Sequence, residues 1–148
     1  MVCLAIMYLT DLGMRGIRRY DASFKSPDMK FHYSTEQIME TFERIGDTGR
    51  MIYGKYLILD CIFTFFLVIV MFTITNSLIT TTAVRYFMFV ICVLRAAFDL
   101  LENSILMKLM KRYPFFRKSM IRWCSWFTSI KFLLLYIWII ICILKVQR

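Results

Sequence analysis

A chain of 148 residues that is 59% hydrophobic and 17% aromatic, with a mean hydropathy of +0.62, carries more apolar surface than a soluble domain of its size buries. That points to lipid as the solvent and to a single membrane domain over residues 1–148. The formal charge of +9 then reads as charge flanking membrane segments, and nucleic acid is not expected as a partner.

The first segment, "MVCLAIMYLT", is apolar but too short to span, and Asp11 follows at once. No basic region precedes it, so a signal peptide is not expected. Residues 1–14 are read as a partial first helix or an interfacial one. Next, Ser34 with Gln37 three residues on forms a capping box, and Ile38, Phe42 and Ile45 recur at helical spacing up to Gly46, a C-terminal stop. The spacing predicts a short amphipathic helix over 34–46, with Glu36, Glu40 and Glu43 at its other positions. It suits either a membrane surface or the loop ends of a bundle. "DTGR" (47–50) is expected to turn the chain.

Three long apolar runs follow. Residues 48–76, 84–110 and 123–144 each reach the ~20 residues needed to cross a hydrocarbon core. Tyr56, Trp123 and Trp126 near span ends fit interfacial anchors. The expected fold is therefore all-α, a polytopic transmembrane helical bundle. The loop 108–122 holds six bases, Lys108, Lys111, Arg112, Arg117, Lys118 and Arg122, and the segment before Tyr56 holds eight. Two crossings separate them, so both lie on one side, which the positive-inside rule makes cytoplasmic. Lys145 and Arg148 fall at the opposite face, against that rule. Which membrane is crossed is not legible.

Seven of the ten acids precede residue 48; the other three, Asp60, Asp99 and Glu102, lie inside the apolar runs with Arg95 and Lys131. A rise of ~1.5 Å per residue puts Glu102 roughly 9 Å and Asp99 roughly 13 Å in from Lys108. Asp60 falls about 6 Å beyond Tyr56 and Lys131 about 12 Å beyond Trp123. Three spans thus bring charge to the cytoplasmic half of the bilayer. Arg95, Asp99, Glu102 and Asn103 share one helix face. Each unpaired charge at a helix centre costs about 2.5–3.5 kcal/mol, so five would cost on the order of 10 kcal/mol or more. Pairing avoids this: Asp99 with Arg95, and Glu102 or Asp60 with Lys131. Three acids against two bases leave one carboxylate, Asp60 or Glu102, to be protonated or wetted, with Asn103, Ser125 or Thr128 as hydrogen-bond partners.

Cys3, Cys61, Cys92, Cys124 and Cys142 are odd in number and lack CxxC spacing, so neither a disulfide framework nor a zinc site is expected. His32 is the only histidine, which rules out a histidine-based metal cluster. No cofactor or metal is expected.

These residues resemble a family of small, typically four-span integral membrane proteins of unassigned function, with the pattern "PDxxFxYSxEx…LGxxGRxxY…D", then "FDLLEN…YP" and a late "TxxK". The matching residues are Pro27, Asp28, Phe31, Tyr33, Ser34, Glu36, Gly46, Gly49, Arg50, Tyr53 and Asp60, then Phe98, Asp99, Glu102, Asn103, Tyr113, Pro114, Thr128 and Lys131. The likeness covers roughly 26–135, with the "DLLEN" block its most specific part. It implies architecture and a loop motif of Asp28, Tyr33, Ser34 and Arg50, but no activity. This chain departs from the family in lacking a full first helix and in having His32 where glycine is frequent.

Three functions compete, and no catalytic residue is assigned. A structural or partner-binding role ranks first, because interhelical polar groups often fix helix register. Proton, small-ion or solute transport ranks second; a monomer has too few helices for a roomy pathway and no inverted repeat, so an oligomer is needed. Third is an enzyme acting on lipid with Asp60 or Glu102 as acid/base, against which there is no HExxH, GxGxxG or nucleophile elbow. Membrane lipids are the expected partners, with anionic headgroups at the 108–122 bases contributing about 1 kcal/mol each, alongside a homo-oligomer or another membrane protein.

Overall fold

The computed structural model describes residues 2–11 and 13–147, without the side chains of Val2 and Cys3. Met1 and Leu12 of the N-terminal segment, and Arg148, one of the two C-terminal bases, lie outside the described residues, as does the thiol of Cys3. The described residues form α1 (Val2–Leu9), α2 (Met14–Arg18), a 3-10 turn (Pro27–Met29), α3 (Thr35–Leu78), α4 (Thr82–Lys111) and α5 (Lys118–Val146), with no strand among them. α3 and α5 are long and apolar enough to cross a membrane. α4 is of similar length but carries Arg85, Arg95, Asp99 and Glu102.

α3 starts where the capping box puts it. Ser34 Oγ accepts the Gln37 N–H at 3.3 Å, and Gln37 Oε1 accepts the Ser34 N–H at 3.0 Å, satisfying two otherwise orphaned amides. The turn expected over 47–50 is absent. The chain breaks at one residue, Gly46 (φ 62°, ψ −172°), and helix resumes at once. That backbone region is open essentially to glycine alone, so one residue re-aims the chain without a loop. The amphipathic stretch 35–45 packs on the bundle: Ile38, Phe42 and Ile45 are buried with Tyr53, Leu106, Leu109 and Ile121. Burying each such side chain contributes about 1.5–3 kcal/mol where the alternative is water.

α5 also begins earlier than the expected span, at Lys118, so helix ends enter the basic stretch 108–122 from both sides. α1 is only about 12 Å long. It folds with α2 against α3, burying Met7, Met14 and Ile17 in the same cluster as Phe24 and Tyr33. α4 packs extensively on both α3 and α5, which touch each other little.

Two apolar clusters divide the bundle along its length. One holds the residues just named. The other joins Met71, Met88, Ile91, Cys92, Trp138 and Cys142 at the far end, where Trp138 Nε1 donates to Thr75 Oγ1 at 2.9 Å. Between them the interior is polar. The outward faces are apolar instead, with Phe65 65% and Tyr86 67% exposed while Glu102 is fully buried.

Candidate functional site

A buried ion network joins the three long helices

The polar layer is assembled from Thr64 and Asp60 of α3, Arg95, Asp99, Glu102 and Asn103 of α4, and Thr128 and Lys131 of α5, all buried. Helical spacing explains α4's share, because residues three and four apart lie on one face. Arg95 Nη2 lies 3.2 Å from Asp99 Oδ2 within that face. Lys131 crosses from α5, its Nζ standing 2.6 Å from Asp99 Oδ1 and 2.6 Å from Glu102 Oε2. From the other flank Thr64 donates a short hydrogen bond to Asp99 Oδ2. Asp99 thus touches side chains of both neighbouring helices.

Of the two carboxylates expected to compete for Lys131, Glu102 takes it, sharing the ammonium with Asp99. Asp60 lies outside ion-pairing distance of any base among the described residues. Its Oδ2 accepts from Asn103 Nδ2 at 2.8 Å, while Asn103 Oδ1 is buried with no hydrogen-bond partner there. Thr128 donates to Glu102 Oε1 at 2.5 Å and lies 3.0 Å from the Cys124 carbonyl one turn back. Ser125, expected as a partner for the spare acid, is engaged elsewhere. Its Oγ accepts the Tyr33 N–H at 3.0 Å and sits 2.8 Å from His32 Nδ1.

That engagement brings the loop motif to the network. Residues 30–34 run along α5, where Ser129 Oγ donates to the Phe31 carbonyl at 2.6 Å. Tyr33 is buried with its hydroxyl 3.4 Å from Thr128 Oγ1. Burial drives that hydroxyl far above the ordinary tyrosine pKa, so it stays protonated. Asp28 is also buried. The 3-10 turn at Pro27 points it inward, where it accepts from Tyr53 at 3.0 Å and forms a short hydrogen bond with Ser26. Tyr53 stacks on Tyr56 at 5.9 Å between ring centres, and Tyr56 is one turn from Asp60. Four buried acids therefore share the interior with two bases.

The other two members of the motif lie apart from the network. Ser34 caps α3. Arg50 is pinned at the basic end: Nη1 donates to the Phe42 carbonyl at 2.6 Å, Nη2 pairs with Asp47, and the guanidinium lies 4.4 Å over the Tyr113 ring. These contacts fasten the two sides of the Gly46 break. Sequence reasoning misses Thr64 and Ser26 altogether and places Asp28 and Tyr33 only in the loop motif. Thr64 sits four residues after Asp60, on the same α3 face, and that spacing was the available signal.

Chemically, the arrangement is closed. Arg95, Asp99, Glu102 and Lys131 reach one another within 3.2 Å, with Glu102, Asp99 and Asn103 at 0–1% exposure, which suits mutual neutralisation better than attack on a bound molecule. Searches against protein-family models, curated proteins and solved structures find no match.

Proposed function

We propose that the chain is a multi-pass integral membrane protein in which α3, α4 and α5 each cross the bilayer, and in which the buried charges lock the bundle so that its outer faces can bind partners. The observation that carries this reading is the Lys131 ammonium at 2.6 Å from both Asp99 and Glu102, with none of the three offered to solvent. Three further features support it. Over their apolar stretches the long helices turn apolar side chains outward, while Asp60, Arg95, Asp99, Glu102 and Lys131 are buried, the reverse of a water-soluble bundle. Hydrocarbon leaves ionised groups only one another as partners. The resemblance to small four-span membrane proteins, and membership of that family, belong to the same proposal.

In this topology the bases of 108–122 and those before Tyr56 face the cytoplasm. Lys145, the apparent exception, lies in the last turn of α5, where a cation is favoured by the helix dipole. A homo-oligomer or another membrane protein is the natural occupant of the outer faces.

A second reading is proton-linked transport, favoured by Asp60, which has an amide partner where Asp99 and Glu102 have cations. Reconstitution into liposomes with an internal pH-sensitive dye separates the two. The structural reading expects no proton flux from the native chain and a loss of detergent stability in Glu102→Gln. Flux that disappears in Asp60→Asn or Glu102→Gln supports transport and overturns the lock.

A further inference from the structure

The seam between α3 and α4 is open on its outer side along two stretches. At the basic end it forms a crevice of about 640 Å³ between Arg50, Met51 and Lys55 of α3 and Met107, Met110 and Lys111 of α4. Gly54 forms part of its wall, and a Cβ there would meet nothing nearer than the Met110 Cε at 4.0 Å. The missing side chain leaves the room. Further along the same seam a second, apolar groove of about 320 Å³ runs between Cys61, Phe65 and Val68 and the small residues Ala96 and Ala97. Arg50, Gly54, Ile58, Cys61, Phe65 and Val68 succeed one another at three- and four-residue steps, so both stretches lie on one face of α3. From Arg50 to Val68 that face is about 27 Å long.

Charge is confined to one end of this path. Arg50, Lys55 and Lys111 line the wide crevice against a single acid, Asp47. Arg50 is held in place by the Phe42 carbonyl and the Tyr113 ring. Lys55 and Lys111 are exposed, and among the described residues neither lies within ion-pairing distance of a carboxylate. A ligand matching this path has an anionic head and a long apolar tail.

We propose that the α3–α4 seam binds one anionic phospholipid, with its phosphate between Lys55 and Lys111 beside Arg50 and an acyl chain along Gly54, Ile58 and Phe65. Of the six bases at 108–122, only Lys111 lines this crevice, so the site is distinct from general attraction of headgroups to that loop. The inference rests on the membrane reading.

Native mass spectrometry of the full chain in a nonionic detergent, titrated with phosphatidylglycerol or phosphatidylcholine, tests it. One phosphatidylglycerol should bind in preference to phosphatidylcholine. Lys55→Gln with Lys111→Gln should weaken that binding about 30-fold, from the contribution of two basic side chains at a membrane surface. Gly54→Leu, which fills the crevice at unchanged charge, should also weaken it, with a melting curve confirming that the variant is folded. Arg117→Gln with Lys118→Gln, away from the seam, should leave it unchanged. Equal binding of the two lipids, or a loss only in the Arg117/Lys118 variant, overturns the seam site. A chain that is monodisperse without detergent overturns the membrane reading itself, a separate outcome.

Discussion

Lys131 and Asp99, on different helices and 32 residues apart, meet with 2.6 Å between ammonium and carboxylate. Because Glu102 lies equally close to the same ammonium, one base offsets two acids at the α4–α5 interface. Replacing Lys131 with methionine leaves two carboxylates facing each other with no cation between them. Removing one partner of a buried ion pair costs about 3–5 kcal/mol. Lys131→Met should therefore lower the unfolding midpoint in detergent sharply. Adding Glu102→Gln to it should restore most of the loss, since the neutral amide removes the uncompensated charge while Asp99 keeps Arg95 as its partner. A Lys131→Met protein as stable as the parent would show that the pair does not hold the interface.

The two aspartates of the polar layer should respond very unequally to the same chemical change. Asp99→Asn strips Arg95 of its carboxylate and leaves Lys131 with Glu102 alone, for a loss again of about 3–5 kcal/mol. Asp60→Asn withdraws a charge that has no cation within ion-pairing distance and keeps a side chain able to accept from Asn103, so its effect should stay within about 1 kcal/mol, the usual range for a hydrogen bond between membrane helices. Thermal denaturation of the two variants side by side measures the contrast. Equal losses would mean that Asp60 is held by a charge partner after all.

Gly46 supplies a test of the backbone without side-chain complications. Its φ of 62° and ψ of −172° lie where L-residues are strained, yet a Cβ built there meets nothing within 4 Å. Gly46→Ala should thus destabilise by about 1–3 kcal/mol through conformation alone. Gly54→Ala, inside regular helix and with room to spare, should be neutral or stabilising by up to about 1 kcal/mol. Chemical denaturation of both separates backbone strain from simple loss of a glycine.

What the amino-acid order reveals here depends on how far apart the interacting groups are in the chain. Ser34 with Gln37, and Arg95 with Asp99, were legible because a helix fixes the geometry of residues three and four apart. The all-helical character followed from the same periodicity. The choice of Glu102 over Asp60 for Lys131 was not legible, because it depends on how α4 and α5 are rotated against each other. Thr64 is harder to read for a related reason: its partner is 35 residues away, and its one local mark is the four-residue spacing from Asp60. Asp28 is legible only as part of the loop motif, because it is the inward fold of the 26–34 segment that buries it. The 47–50 turn was overread, since "DTGR" has the composition of a loop while Gly46 alone absorbs the change of direction.

The N-terminal segment offers a pH test outside the polar layer. Asp21 Oδ1 accepts from the Ser23 hydroxyl at 2.6 Å and the Ser23 N–H at 3.0 Å, and Oδ2 lies 3.4 Å from Arg44 Nε on the amphipathic part of α3. The Ser23 hydroxyl is the main reason its carboxyl sits below the usual aspartate value of 3.8; the Ser23 amide and Arg44 add to this, while burial opposes it. A group depressed on folding contributes stability above its unfolded pKa and loses it as pH falls through the folded one. Docking of this segment onto α3 should therefore hold steady down to about pH 5 and weaken only below the unfolded value near 3.9. Hydrogen exchange across residues 19–30 at pH 5.5 and pH 3 reads this directly. Asp21→Asn should exchange faster than the parent at pH 5.5 and show less added opening at pH 3, once the intrinsic pH dependence of exchange is removed. Opening that instead sets in between pH 5 and 7 would assign the control of this segment to a group other than Asp21.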